Sequence, residues 1–485
     1  MNGAEHLLGA AALARHGSNA AIVCGDETLS YAALSTRVGI AAAAFARLGV
    51  RQGDRVLILL RDTTDFPVAW LGAMWAGAIP IGLNSKLAQA ELLHAAQDSA
   101  ACMLVSEPTL SRELGVRAVD AAELRRADSP APPYAATPDE PAFWLYSSGT
   151  TGKPKGIIHA HRAVLAAGQA QREVLGLDAG DRVLATSRLF FAYALENGLL
   201  GPLSLGATAI LNPDWASVDD ICELVEKQKP TAFFSVPSFY RQLLAQPPSR
   251  IAAFRSARRF AAAGERLPAR VVASWRAATG GEILSIYGMS ETFCVSMVTR
   301  PGTSDGSHTG KPLQGIEVRQ DGGGNEPGML WVRHPALAIA FANRPEQTRE
   351  QFRDGWFCTN DMFTRDAAGN YAHQGRADEL IKVAGQWVRP SEIEELVLAQ
   401  PAIADAACVA MQDADGFERL ALFVAAKDDA EAALHAAGSA CASLPLRHQR
   451  PNWIRAVAEL PRTATGKVQR FRLRELLEQE LGRNV

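Results

Sequence analysis

The chain has 485 residues, 48% hydrophobic and 21% charged, an ordinary globular composition with ample length for a large core and room for about three domains. A formal net charge of -3 and a pI near 6.4 give no electrostatic basis for binding nucleic acid or an anionic membrane. Seven scattered cysteines without a CxxC pair argue against a disulfide frame or zinc site, and the N-terminal stretch with its early Glu5 does not read as a secretory signal, so a cytoplasmic setting is expected.

Between residues 30 and 50, Tyr31, Leu34, Val38, Ala41, Phe45 and Leu48 recur at steps of three and four, the apolar stripe of an amphipathic helix. Residues 55–60 read as a buried strand, 66–76 as a second helix and 78–81 as another strand, an alternation that predicts an α/β sheet with helical crossovers. Residues 121–141, rich in Ala, Pro, Arg and Asp, read as a loop leading into the apolar run Phe143-Trp144-Leu145-Tyr146. Further strands are expected at 183–186, 207–211, 232–236 and 282–286. Residues 189–211 form the most apolar stretch, but Glu196, Asn197 and Pro202 interrupt it, which predicts buried core beside a cleft rather than a membrane span. Past the turn-rich 366–370 segment the pattern changes to a new unit of about a hundred residues. The boundary is placed between residues 1–377 and 378–485.

Residues 147–156 read SSGTTGKPKG and follow an apolar strand. Gly149, Gly152 and Gly156 permit positive φ and turn backbone N–H groups toward an anion. Ser147, Ser148, Thr150 and Thr151 add hydroxyls, and Lys153 and Lys155 add charge. A solvated Gly/Ser loop has the same composition. A Walker A loop does not fit, because its glycines enclose four residues and Gly149 and Gly152 enclose only Thr150 and Thr151. The run Ser285-Ile286-Tyr287-Gly288-Met289-Ser290-Glu291-Thr292 ends a strand with a ring, a hydroxyl and a carboxylate, suited to a base, an α-phosphate and Mg2+, or to a plain turn. Asp361 and Arg376 suit ribose hydroxyls or an ion pair with each other. Lys467, in Pro461-Arg462-Thr463-Ala464-Thr465-Gly466-Lys467, has a solvated lysine as its ordinary reading.

In their order and spacing these motifs resemble the acyl-adenylate-forming superfamily, which includes acyl-CoA and aryl-CoA synthetases, carrier-loading adenylation domains and firefly-type luciferases. The resemblance spans essentially the whole chain. Residues 189–198, LFFAYALENG, and 202–208, PLSLGAT, are most similar to benzoate-type and aminobenzoate-type aryl-CoA ligases. The resemblance implies an α/β adenylate-forming fold: a large N-terminal multi-sheet α/β domain and a small, mobile C-terminal α+β domain turning about a hinge at Asp378.

For the site, the resemblance implies that Ser147, Ser148, Gly149, Thr150, Thr151, Gly152 and Lys155 hold the β- and γ-phosphates of ATP, with Glu265 and Tyr287 beside the adenine. Ser290 would touch the α-phosphate, Glu291 would ligate Mg2+, and Asp361 and Arg376 would bind ribose. Lys467 would bridge the acid carboxylate and nucleotide oxygens, and Gly385 would border the pantetheine channel of coenzyme A. Phe191, Tyr193, Phe234, Ala263, Ile286, Gly288 and Phe293 would line a short aromatic slot for a flat ring, with Glu196 or Ser235 bonded to a ring substituent. The implied substrate is a small aromatic carboxylic acid, joined to coenzyme A or, alternatively, to the phosphopantetheine thiol of a carrier protein. A luciferase-like oxidation and a nucleotide-binding regulatory module are the other readings, and a homodimer is allowed. Two departures from the family pattern, Asn360 for glycine and Ser290 for threonine, preserve left-handed tolerance and a hydroxyl, so an active enzyme is expected.

Overall fold

The structure is a computed structural model that describes residues 1–147, 154–322, 326–377, 381–383, 386–413, 415–462 and 468–481, with 382 and 387 described by backbone alone. Contacts divide the chain into two units. The first comprises Met1–Arg319, Trp331–Cys358 and Arg365–Ala372; the second comprises Gln320–Leu330, Thr359–Thr364 and His373–Val485, and so takes in segments ahead of the expected boundary.

The strands of the two main sheets of the first unit include β1 (Ala20–Cys24), β2 (Glu27–Ser30), β3 (Arg55–Leu59), β4 (Ile79–Gly82), β5 (Met103–Ser106), β6 (Arg117–Asp120), β7 (Pro141–Ser147), β8 (Lys155–Ala160), β9 (Arg182–Ala185), β10 (Thr208–Leu211), β11 (Ala232–Ser235), β12 (Arg259–Ala262), β13 (Ile283–Tyr287), β14 (Met297–Val298) and β15 (Lys311–Pro312). One sheet runs β15-β14-β13-β12-β11-β9-β10-β1-β2, and a second places β8, β7, β4, β3, β5 and β6 in that order beyond Ala340–Phe341. Within the first sheet β13, β12, β11, β9, β10 and β1 are parallel to one another, with β14 and β2 antiparallel at either side. Helices cover such strands on both faces, so they read as near-continuous apolar runs rather than alternating ones.

The expected helix near 30–50 spans Tyr31–Arg47. The Ser30 hydroxyl accepts from Ala33 N at 3.1 Å and caps it, and Tyr31, Leu34, Val38, Ala41 and Phe45 form its buried stripe. Its neighbour, Asp65–Trp75, is buried from Phe66 through Trp75. The two approach at Gly72, where an added Cβ would lie 2.7 Å from that of Ala41, so only glycine allows this contact. Side chains from both helices and from β1, β3 and β7 share one core.

Along β11, Phe233 and Phe234 point to opposite faces, as a strand requires. Phe233 joins Tyr240 and Phe254 edge-on, and the Trp275 ring meets Tyr240 at 4.9 Å and Phe254 and Phe260 at 5.3 Å, all near perpendicular. Phe234 turns the other way, toward Tyr193 at 6.4 Å.

Two expectations change. Lys155 and Gly156 are not loop residues: β7 and β8 form an antiparallel hairpin whose last pairs are Tyr146 with Gly156 and Ser147 with Lys155. The stretch expected to be a loop at 121–141 begins with a short helical turn, Ala121–Arg125, capped by the Asp120 carboxylate. The apolar stretch from 189 is broken as its interruptions suggest, into Ala192–Ala194, a π-turn at Leu195–Leu200, the helix Gly201–Leu205 and β10. Among the described residues no helix is long and apolar enough to cross a membrane.

In the second unit Ile403–Gln412 pairs antiparallel with Glu418–Ala426, which pairs parallel with Trp453–Val457. Alternation along the first of these strands sends Ala406 and Cys408 into a core with Ile393, Val397 and Ala437, and Ala407, Val409 and Met411 into another with Leu473 and Leu477. Helices therefore cover both faces of a small sheet.

The interlocked rings around Trp275 make its truncation costly. Trp275→Ala is expected to lower stability by about 3–5 kcal/mol, read as a fall in the denaturation midpoint followed by fluorescence and circular dichroism.

Candidate active site

In open parallel sheets ligands gather at the carboxyl ends of the strands, where backbone groups and short turns converge. Here that edge is formed by Ser235 on β11, Ala262 on β12 and Tyr287 on β13. The Tyr193 hydroxyl spans the first two, 3.2 Å from Ser235 O and 3.3 Å from Ala261 O. Beyond β12, Gly264 takes φ +85° and Glu265 accepts from Ser238 N at 3.0 Å and Ser238 Oγ at 2.9 Å. Ser238 lies in the first turn of the helix Pro237–Leu244, so this carboxylate satisfies an amide that the helix itself leaves open.

Beyond β13 the chain makes a tight turn around Thr292. Its Oγ1 accepts from Met289 N at 3.3 Å, and the amides of Thr292 and Phe293 donate to Met289 O at 3.2 and 3.0 Å. The turn requires Phe293 at φ +57°, uncommon for a bulky residue. It is held there by its ring, packed edge-on to Phe143 at 4.9 Å and 5.6 Å from His159. Ser290 and Glu291 are presented by this turn.

Glu291 Oε1 accepts from Lys155 Nζ at 2.8 Å, with side-chain exposures of 9% and 15%. The same ammonium lies 4.1 Å above the Phe341 ring. The β7–β8 hairpin and the β13 turn, widely separated in sequence, thus meet through a shielded charge pair, whose attraction is stronger than it would be in water. His159 Nε2 donates to Ser290 O at 2.9 Å, which assigns the proton to that nitrogen. Burial pushes the imidazole pKa down to about 3, so the ring stays neutral. Sequence reasoning missed His159, because a single histidine in an apolar strand carries no periodic or motif signal. The Ser147 hydroxyl at the hairpin's root is buried without a partner among the described residues.

Of the residues expected to line an acyl pocket, Tyr193, Phe234, Ala263, Ile286 and Gly288 share the strand-end edge, and Phe191 packs on Phe190 at 4.3 Å between ring centroids. Phe293 instead places its ring in the core with Phe143. Both groups expected to meet a ring substituent are engaged within the protein. Ser235 Oγ is 2.7 Å from Thr186 Oγ1. Glu196, fully buried, accepts from Asn197 Nδ2 at 3.0 Å and from Val295 N at 3.4 Å, which corrects the expectation that it is open to a ligand. Burial pushes this carboxyl up to about 8, leaving it uncharged at neutral pH.

In the second unit Asp361 Oδ1 stands 3.5 Å from Arg376 Nη1 and 3.7 Å from His373 Nε2. Its neighbour Asn360 adopts φ +58°, the left-handed conformation expected from asparagine at a glycine-favouring position. Ser148, Gly149, Thr150, Thr151, Gly152, Lys153, Asp378, Gly385 and Lys467 lie outside the described residues. Among the described residues no cluster of three His, Cys, Asp or Glu gathers to hold a metal. The single Glu291 carboxylate suits magnesium, which takes its remaining ligands from water and substrate phosphates.

A family model described as AMP-binding enzyme matches residues 10–340, and a second, AMP-binding enzyme C-terminal domain, matches residues 392–467. The chain belongs to the AMP-binding enzymes. This AMP-binding enzyme is 36% identical to the 3-hydroxybenzoate--CoA/4-hydroxybenzoate--CoA ligase of Thauera aromatica, over 99% of its own length and 98% of the relative's. It is also 36% identical to the 3-hydroxybenzoate--CoA ligase of Aromatoleum sp. (strain CIB), over 99% and 97% of the two chains. The crystal structure of the anthranilate CoA ligase AuaEII in complex with anthranoyl-AMP superposes with a TM-score of 0.90 at 28% identity, covering 99% of this chain and 98% of that one. The enzyme is therefore an acyl-adenylate-forming ligase close to the aryl-CoA ligases, with the large α/β domain and smaller C-terminal domain of that fold.

The Glu196 carboxyl sets a pH test. Its pKa is raised in the fold from the ordinary 4.5 to about 8, so its contribution to stability is complete below 4.5 and is lost as pH rises through 8. Glu196→Gln removes that dependence. Relative to the wild type, the variant is expected to gain stability by at most about 1.4 kcal/mol per pH unit between these values, read from paired melting curves. Its preference among ring substituents is expected to be unchanged.

Proposed function

We propose that this enzyme adenylates a benzoate-like carboxylic acid with ATP, releasing pyrophosphate, and then transfers the acyl group to the thiol of coenzyme A. The observation that carries this reading is the wall at the strand ends, built from Tyr193, Phe234, Ala263 and Ile286 with an uncharged Glu196 behind it. Such a wall favours a flat apolar ring through edge and stacking contacts. An amino acid would need a carboxylate for its ammonium group, and Glu196 is neutral and already bonded. The full-length similarity to ligases named for hydroxybenzoates supports the same class of substrate.

A carboxylate is a weak nucleophile and shares the sign of the triphosphate it must approach, so positioning and cation placement carry the reaction. On this reading Ser147 and Lys155, with the loop between them, hold the β- and γ-phosphates, and Ser290 holds the α-phosphate. Tyr287 and Glu265 flank the adenine, while Asp361 and Arg376 take the ribose hydroxyls. Glu291 would hold magnesium, whose charge would offset that developing on the pyrophosphate. Lys155 stands on Glu291 and keeps that carboxylate in place while neutralising it. An oxygen of the acid attacks the α-phosphorus in line as the bond to pyrophosphate breaks, with Lys467 balancing charge on the incoming oxygens. In the second half-reaction the coenzyme A thiol attacks the acyl carbonyl and AMP departs. Residues 1–377 and 378–485 act as the two domains, with Asp378 as the hinge and Gly385 bordering the pantetheine arm.

The test is mass spectrometry of products from a panel of benzoates and short fatty acids with Mg-ATP, with and without coenzyme A. Aryl-CoA and AMP are expected from a benzoate. Adenylate without a CoA thioester would instead assign a carrier-protein thiol as acceptor, and turnover of fatty acids alone would overturn the aromatic reading. Lys467→Ala is expected to lower adenylation by about a hundredfold or more while sparing thioester formation from preformed acyl-adenylate. Equal loss of both steps in single-turnover assays would refute the role given to Lys467.

A further inference from the structure

Beneath the segment that begins Leu189-Phe190-Phe191 lies a second buried charge pair that the proposed chemistry does not use. Asp62, just beyond β3, and Arg188, just ahead of the aromatic segment, are 4% and 6% exposed. Asp62 Oδ2 stands 3.3 Å from Arg188 Nε and accepts from Leu189 N at 3.0 Å. The rest of the guanidinium is spent on main chain leaving β10: Nη1 donates to Asn212 O at 2.8 Å and also to Asp214 O, and Nη2 donates to Pro213 O at 2.6 Å. One planar cation thus ties three consecutive carbonyls to the carboxylate that receives the Leu189 amide. Only arginine has enough donors, in a suitable fork, to do this.

The same region holds an aromatic buttress. Trp215 follows the three carbonyls and lies 6.1 Å from Phe190, whose ring is 4.3 Å from that of Phe191. Lys86 Nζ sits 3.8 Å over the Trp215 ring, and Arg188 Cζ is 5.9 Å from its centroid. Phe190 is seated against Gly82 at the end of β4, where an added Cβ would come within 3.2 Å of it. Asp62 Oδ1 and Asn212 Nδ2 are both buried without partners among the described residues and line one small cavity, with room for about one water to bridge them.

A charge pair this deep costs several kcal/mol of desolvation per ion before its attraction is counted, and an apolar pair of equal volume would serve stability as well. Geometry is what an apolar pair would not supply. We propose that the Asp62–Arg188 pair, with Trp215 as its buttress, is a positioning device that fixes the backbone of Phe190 and Phe191 and so sets which ring the acyl site accepts. This inference rests on the aryl-acid reading given above. None of these groups touches the acid; they act through Phe191.

The experiment compares the wild type with two variants, using whichever acid of the panel the wild type turns over best and its ring-substituted analogues. Asp62→Asn combined with Arg188→Met removes both charges, so that neither is left buried alone. Trp215→Leu loosens the buttress and leaves the charges in place. The double variant is expected to raise the KM for the acid about tenfold and to flatten the ranking of ring substituents, with the KM for ATP within about twofold of the wild type. Trp215→Leu is expected to move the same quantities in the same direction by about threefold. An unchanged acid KM and ring ranking in folded variants would overturn the inference while leaving the aryl-acid reading intact. If the double variant does not fold, Trp215→Leu decides alone. A wild type that turns over no acid of the panel would remove the aryl-acid reading and this inference together.

Discussion

Parallel strands hydrogen-bonded in register from β10 to β13 can be covered by helices on both faces, and that leaves their carboxyl edge as the place where backbone, short turns and polar side chains converge. The candidate site follows from this constraint. Because Phe233 is committed to the rings around Trp275, its neighbour Phe234 must face the opposite side, and Tyr193 meets it there. β12 ends level with β11, and β13 runs two residues further to pair with β14, so Glu265 and the Ser290–Glu291 turn follow the carboxyl ends of neighbouring strands.

Buried charge is handled in three ways around that edge. Lys155 and Glu291 neutralise each other at short range, and on the proposed reading would exchange partners when a polyphosphate and its metal bind. Asp62 and Arg188 are sealed together, and the guanidinium's hydrogen bonds go to main-chain carbonyls. Glu196 has no cation beside it among the described residues and resolves the same electrostatic problem by keeping its proton. The first arrangement suits a group that must act, the second a group that must hold still, and the third a carboxyl that serves as a neutral packing element.

Much of this architecture was legible because burial imposes periodicity. The stripe from Tyr31 to Phe45 and the strands at β3, β9, β11 and β13 each lie within a residue or two of where apolar spacing placed them. The left-handed Asn360 was legible for a different reason, the tolerance of asparagine for a conformation that usually calls for glycine. Lys155 was misread as a loop residue because Lys-Pro-Lys-Gly has the composition of a turn, and strand pairing with β7 overrode that local preference. His159 and Arg188 were invisible for a deeper reason. Their meaning lies in partners 131 residues away at Ser290 and 24 to 26 residues away at Asn212 and Asp214, and no window of sequence holds both ends. Phe293 shows the converse, since a motif can indicate which turn a ring occupies without showing which side of it the ring packs on.

The β7–β8 hairpin carries a consequence of its register. Side chains alternate along a strand, so which face Lys155 presents is decided by its pairing with Ser147 and not by the connection that joins them. A residue gained or lost in that connection would leave the ammonium facing Glu291. A slip of β8 by a single residue would turn it to the opposite face and put glycine in its place, erasing the charge pair with no change in composition. The charge pair therefore depends on the hairpin's register.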